Sequence, residues 1–326
     1  MLHQPCKTRL FARVLPRGSA IGVAIFIVAG CAASNSDNSP DNGSSGGSGG
    51  EADAETQFDA PLSSDVTGPL LDAHPGGDGS TAGSCSKAST LIYVLGKTHE
   101  LYSFDPATLQ LGKVGMLNCP QNGGSATPFS MAVDRKGIAW VLYNDGHLYH
   151  VDTATAACTA TSFTPGQSGF TKFGMGFVSD TPGSEAEKLY VANEDRIGVI
   201  DTGTFALTPA GGTFGFSAMV ELTGTGDARL FGLFYGFPPY ISEINKANSQ
   251  LLGEMPLDTV DIGTGFAYAF WGGDFWVFTA PNGVTSQIDR YQPSAGTTTT
   301  TVVVQDVGFK IVGAGVSTCA PVQAPK

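Results

Sequence analysis

The sequence predicts an all-β fold, a five-bladed β-propeller of four-stranded blades, from three patterns that recur in step. The first begins at Phe129-Ser130-Met131-Ala132-Val133. It returns at Phe173-Gly174-Met175-Gly176-Phe177, Phe216-Ser217-Ala218-Met219-Val220, Phe266-Ala267-Tyr268-Ala269-Phe270 and Val312-Gly313-Ala314-Gly315-Val316. Bulky residues hold its first and last positions, the second is small, and the fourth is small in every copy except at Met219. Strand side chains alternate faces, so one face of each copy is bulky and the other nearly bare, which suits a crowded hub. The copies start 44, 43, 50 and 46 residues apart, the period of a radial array of sheets rather than of helical repeats.

The second pattern marks a second strand in each blade. An apolar residue precedes an aromatic at Ile92-Tyr93, Ala139-Trp140, Leu189-Tyr190, Leu230-Phe231 and Phe275-Trp276. These aromatics recur in every blade, which points to packing between blades rather than to a ligand cage. The third pattern ends a third strand on a turn former, over residues 101–105, 148–152, 197–201, 241–245 and 288–292. Asp or Asn there suits a tight hairpin, because the side chain satisfies turn backbone groups. Weaker fourth strands follow at 111–117, 158–163, 205–209, 251–256 and 299–304.

Residues 85–128 hold second, third and fourth strands but no first, while 312–316 is a first strand alone. The C-terminal strand is therefore expected to complete the N-terminal blade and close the ring. A sixth blade would need another aromatic second strand, and none occurs. Four cysteines lie within this region, which allows three disulfide pairings. Cys85 stands just before the second strand of the split blade and Cys319 just after its first, so a Cys85–Cys319 clasp is expected. In the chain-entropy model it contributes about 4–5 kcal/mol. Cys119 and Cys158 then pair by elimination, although strand counting puts Cys119 near one face and Cys158 near the other.

Ahead of the repeats stands a leader, residues 1–30, with Lys7, Arg9, Arg13 and Arg17 before an apolar run at 20–30 that is too short for a stop-transfer helix. The run ends in Val28-Ala29-Gly30-Cys31, which resembles the lipobox of bacterial lipoproteins. That resemblance implies cleavage before Cys31, acylation of its thiol, and a membrane partner reached through the N-terminal lipid. Ala32, where an aspartate would retain the protein at the inner membrane, implies the outer membrane. The leader holds four of the chain's 17 Lys/Arg and none of its 29 Asp/Glu, so the remainder carries a net charge of −16. Such a balance excludes nucleic acid as a partner. Cys31 and residues 32–84 form a Ser/Gly/Asp-rich tether, expected to be disordered, with an r.m.s. reach of roughly 40 Å. The propeller spans 85–320, and 321–326 is a tail.

In such a ring the fourth-to-first connections and the second-to-third hairpins share one face, while the tether arrives at the other. The first face carries the candidate binding residues Glu194, Asp195 and Arg196 in one hairpin and Tyr235, Phe237 and Tyr240 in another, with Phe234 beside them. Aromatics next to polar groups suit sugar or protein surfaces. Catalytic motifs are absent: there is no nucleophile elbow, zinc-binding helix, phosphate loop or dinucleotide fingerprint. No catalytic residue, metal or cofactor is assigned. His99, His147 and His150 are the region's histidines, and the first two are expected at adjacent blade tips. Asp134 and Glu221 are expected near the ends of first strands.

Leu101-Tyr102-Ser103-Phe104-Asp105-Pro106-Ala107-Thr108 and Lys188-Leu189-Tyr190-Val191-Ala192-Asn193 resemble the repeats of extracytoplasmic β-propellers of the YVTN and NHL-like group. That resemblance implies a module that binds or scaffolds. The expectation is a monomeric, lipid-anchored envelope protein that recognises a protein or a polysaccharide. The alternative is an extracellular carbohydrate-active hydrolase or lyase using the same face.

Overall fold

A computed structural model describes residues 85–86, 88–120 and 125–325; the leader, Cys31 and the tether lie outside the described residues. Among those described, no helix is long and apolar enough to cross a membrane. The first blade contains β1 (Ile92–Gly96), β2 (Glu100–Asp105) and β3 (Gln110–Met116), and the second β4 (Pro128–Val133), β5 (Ile138–Tyr143), β6 (Leu148–Asp152) and β7 (Cys158–Ala160). The third holds β8 (Gly174–Ser179), β9 (Glu187–Ala192), β10 (Ile197–Ile200) and β11 (Leu207–Pro209). The fourth holds β12 (Val220–Gly224), β13 (Leu230–Phe234), β14 (Tyr240–Glu243) and β15 (Met255–Pro256). The fifth holds β16 (Phe266–Trp271), β17 (Asp274–Thr279), β18 (Gln287–Tyr291) and β19 (Thr301–Val304), after which the chain ends on β20 (Ile311–Val316). Strand orders are β20-β1-β2-β3, β4-β5-β6-β7, β8-β9-β10-β11, β12-β13-β14-β15 and β16-β17-β18-β19, all antiparallel. This is the five-bladed propeller, and its C-terminal strand does complete the first blade.

The core lies between blades. Tyr93 and Leu95 of the first blade pack with Met131, Val133 and Tyr143 of the second, and Trp140 and Leu142 pack with Met175 and Phe177 of the third. Tyr93, Trp140, Tyr190, Phe231 and Trp276 are all buried in these seams, each worth about 1.5–3 kcal/mol of transfer free energy. The inner strands approach backbone to backbone: a Cβ on Gly174 would stand 2.6 Å from the Glu221 Cα. No larger residue fits there without moving a strand.

One inner strand departs from the expected register. In the fourth blade residues 216–219 belong to the incoming loop, with Phe216 40% and Met219 48% exposed, and the strand is Val220–Gly224. Val220-Glu221-Leu222-Thr223-Gly224 is thus the true copy, and first positions fall at 129, 173, 220, 266 and 312, a more even period. The hub's second positions are then Ser130, Gly174, Glu221, Ala267 and Gly313. Glu221 is not at a strand end but in the middle of the hub.

Both disulfides are formed, Cys85–Cys319 and Cys119–Cys158. The conflict over Cys119 dissolves at the perimeter. Strands twist by about 20–25° at each step, so a fourth strand is turned far from the propeller axis and "upper" and "lower" lose meaning there. Gly115, near the end of β3, lies against the Thr155 carbonyl and the Ala156 side chain at the start of the next blade's outer hairpin. That juxtaposition brings Cys119 to Cys158, with Cα atoms 4.9 Å apart.

Candidate functional site

The connections into the inner strands and the hairpins between second and third strands converge on one face, where they enclose a funnel of about 490 Å3 over the hub. Every blade contributes. Thr127 to Phe129 and Asn144 come from the second blade, Lys172, Asn193 and Glu194 from the third, Met219 and Tyr235 from the fourth, Thr264 and Phe266 from the fifth, and Lys97 and Lys310 from the first. The long loop before β12 is pinned across the neighbouring hairpin: Phe214 N donates to Asp195 O (2.7 Å) and Ala218 N to Glu194 O (3.1 Å). Tyr235 N donates to Met219 O (2.9 Å), which holds Tyr235 on the funnel wall.

The rim is basic although the chain as a whole has a net charge of −12. Lys97 and Lys310 are neighbours, since Lys97 N donates to Lys310 O (2.9 Å), and Lys310 Nζ donates to Thr264 Oγ1 (2.6 Å). Lys172 Nζ stands 5.9 Å from the centre of the Phe129 ring. Among the described residues Lys188, Arg196, Arg229 and Arg290 are in ion pairs, and these three lysines are not. The carboxylates lining the funnel are Glu194, whose Oε2 accepts from Ser217 Oγ (3.1 Å), and Glu221.

Glu221 forms the floor. It is 4% exposed, and its Oε2 accepts a 2.7 Å hydrogen bond from Ser130 Oγ of the second blade, across the hub. Burial pushes its pKa well above the usual carboxylate range, and the Ser130 bond offsets only part of that. The side chain is thus held in the packed hub by one hydrogen bond from across the ring. Tyr268 is buried next to it; burial first and Glu221 second raise that hydroxyl's pKa.

Of the residues singled out from sequence, Glu194 and Tyr235 line the funnel. Phe237 is 90% exposed and edge-on to Tyr235, with ring centres 5.5 Å apart. Asp195 and Arg196 stand outside the funnel and pair with each other at 2.6 Å. Tyr240 stacks on the buried Phe234 at 5.1 Å, and burial pushes its hydroxyl up to about 12. His99 Nε2 is 3.1 Å from Ala126 O, while His147 Nδ1 faces Asp145 at 3.1 Å. Among the described residues no cluster of His, Cys, Asp or Glu could hold a metal ion. Asp134 does not meet Glu221; its Oδ1 accepts from Lys136 N and Ile138 N in the turn at the opposite end of β4. The three rim lysines were not recognised from sequence. The available signal was their place, since Lys172 immediately precedes Phe173 and Lys310 stands two residues before Val312.

A second cleft, of about 560 Å3, opens at the other end of the second and third blades, beside Asp134, Arg135, Trp140, His150 and Glu187. Arg135 and Glu187 in it are hydrogen-bonded within the fold. Arg135 N and Thr318 Oγ1 donate to the two oxygens of Glu187 (2.8 and 2.7 Å), and Arg135 also reaches Thr318 Oγ1 and the Cys85 Sγ. Burial lowers the pKa of His150, so its ring is neutral at pH 7, and burial raises that of Glu187 against its hydrogen bonds.

No protein-family model matches the chain, and no curated protein matches it. Among solved structures it is similar to the Dos1 propeller, with 11% identity and a TM-score of 0.38 over 69% of this chain. The match spans 56% of that chain's length.

Proposed function

We propose that this protein is a lipid-anchored propeller of the bacterial cell envelope, held at the outer membrane through Cys31, whose funnel face recognises a protein or polysaccharide. The observation that carries the reading is the convergence of all five blades on one blind funnel over a packed hub. A rigid ring presenting adaptable loops around an open, mixed aromatic and polar concavity is built for binding. Tyr235 on the wall and Phe237 beside it supply flat apolar surface, and Asn144, Asn193 and the lysines supply polar contacts.

Glu194 and Glu221 line the same cavity, and this favours the second reading, a carbohydrate-active hydrolase or lyase. Glu221, however, is 4% exposed and engaged with Ser130 in the floor itself, an arrangement suited to filling the hub.

Retention of the full-length chain on an array of envelope and extracellular glycans and proteins, with mass analysis of each spot for products, separates the readings. Retention without product, lost in Tyr235→Ala, is the expected outcome. Released product would establish the hydrolase or lyase instead, and no retention on any spot would leave a structural role. In the same preparations Cys31→Ser is expected to abolish processing and detergent-phase partitioning, and normal partitioning of that variant would overturn the lipid anchor.

A further inference from the structure

We infer that the funnel selects an acidic saccharide, its carboxylate held by Lys97, Lys172 and Lys310 while a sugar ring lies against the wall formed by Tyr235 and Phe266. The inference rests on the binding reading above and gives it a ligand class.

Three features support it. First, the charge is placed and unspent. In a chain of net charge −12 the three lysines gather at one cavity, and no carboxylate among the described residues pairs with them. Lys97 and Lys310 come from the first blade and Lys172 from the third, so they flank the Phe129 and Asn144 side of the funnel. A concavity lined by one sign of charge concentrates ions of the opposite sign. Glu194 tempers that field but is tied to Ser217, and Glu221, 4% exposed, is engaged with Ser130 in the hub.

Second, the opposite wall is aromatic. Tyr235 stands edge-on to Phe266 (6.2 Å) and to Phe237 (5.5 Å), with Met219 beside them. Rings of this kind present flat apolar surface to the C–H face of a sugar, and the amide side chains of Asn144 and Asn193 are suited to hydroxyl groups. Third, the geometry argues against an extended acidic peptide. Peptides that add to sheets need a free strand edge; the inner edges β20, β4, β8, β12 and β16 pack against one another in the hub, and the open edges belong to the outer strands β3, β7, β11, β15 and β19 at the perimeter. The funnel is bordered by hairpins and connections and is closed below, so it accepts a chain end or a short run of rings.

The test titrates the full-length chain calorimetrically with oligogalacturonate, maltohexaose and hexaglutamate at low and high salt. Variants are the combined Lys97→Gln, Lys172→Gln, Lys310→Gln substitution and, separately, Tyr235→Ala. Oligogalacturonate is expected to bind and maltohexaose not. Affinity for oligogalacturonate should fall at least about tenfold in the triple variant and decline with salt, while the melting temperature stays unchanged. Tyr235→Ala should weaken the same binding without removing its salt dependence. Equal binding of maltohexaose, or an unaltered triple variant alongside a defective Tyr235→Ala, would overturn the acidic ligand and leave the funnel as a binding site. Tighter binding of hexaglutamate would overturn the saccharide class. Failure of all three probes would overturn the inference, and the wider array then decides whether the binding reading survives.

Discussion

At one end of the propeller Glu187 accepts from the Arg135 backbone and from Thr318, and the Arg135 guanidinium reaches Thr318 and the Cys85–Cys319 bond, whereas at the other end Lys97, Lys172 and Lys310 face an open funnel without an anionic partner among the described residues. Both ends are made from the same blades, and both hold a cavity. They differ in what the charged groups are doing. Buried or half-buried charge that is satisfied within the fold fixes the ring where its two termini meet. Charge left unpaired on a rim adds nothing to stability and is available to a ligand. The comparison teaches that cavity size alone does not find the site, because two clefts of comparable volume differ in whether Arg135 and Glu187, or three lysines, are held by partners within the fold.

The largest effect should come from cutting the clasp. Cys319→Ser is expected to cost about 2–5 kcal/mol in chemical denaturation under oxidising conditions. Cys119→Ser, which opens a loop of 39 rather than 234 residues, should cost less by about 1.5 kcal/mol in the chain-entropy model. A larger loss in Cys119→Ser would show that the perimeter bond, not the clasp, holds the ring.

Glu221 gives the next effect, and pH reveals it. Its folded pKa lies above the value of 4.5 expected in the unfolded chain, so between the two the folded state holds a proton that the unfolded state has released. Stability from this group is complete below about pH 4.5 and is lost as pH rises through the folded pKa, at up to about 1.4 kcal/mol per pH unit. Glu187 and Asp289, also raised by burial, slope in the same direction. Denaturation midpoints of wild type and Glu221→Gln should therefore diverge as pH rises, with the variant the flatter; parallel curves would mean that Glu221 titrates normally in the hub.

The smallest effects distinguish the two ends directly. Glu187→Ala should cost about 1–2 kcal/mol, because it strands the Arg135 and Thr318 donors. Lys310→Gln should stay within about 0.5 kcal/mol of wild type. If the lysine change proved as costly as the glutamate change, the funnel charges would be part of the scaffold after all.

Four of the five inner strands, all five buried second-strand aromatics and the closure of the ring were legible in the sequence. They depend on alternation and spacing, which are local and survive without knowledge of neighbours. The fourth inner strand was misplaced for a physical reason. Phe216-Ser217-Ala218-Met219-Val220 shows the expected alternation of bulky and small residues, while Val220-Glu221-Leu222-Thr223-Gly224 puts a carboxyl group where the other blades carry Gly, Ala or Ser. A glutamate in a packed hub violates the local rule unless something across the ring accepts it, and Ser130 lies 91 residues away. The candidate site was legible in part. Glu194 and Tyr235 stood out as hairpin residues, but the lysines come from three separate connections whose convergence depends on how five blades close.

The sequence by itself therefore determined the number of blades, the identity of the strand that closes the ring and the cysteines placed to lock it, because each of these follows from a repeated short-range pattern. Only the tertiary structure decided the register of Glu221, the meeting of Cys119 with Cys158 and the gathering of Lys97, Lys172 and Lys310. These are contacts across the hub, across a twisted perimeter and around the rim, set by the angle between blades rather than by any run of residues.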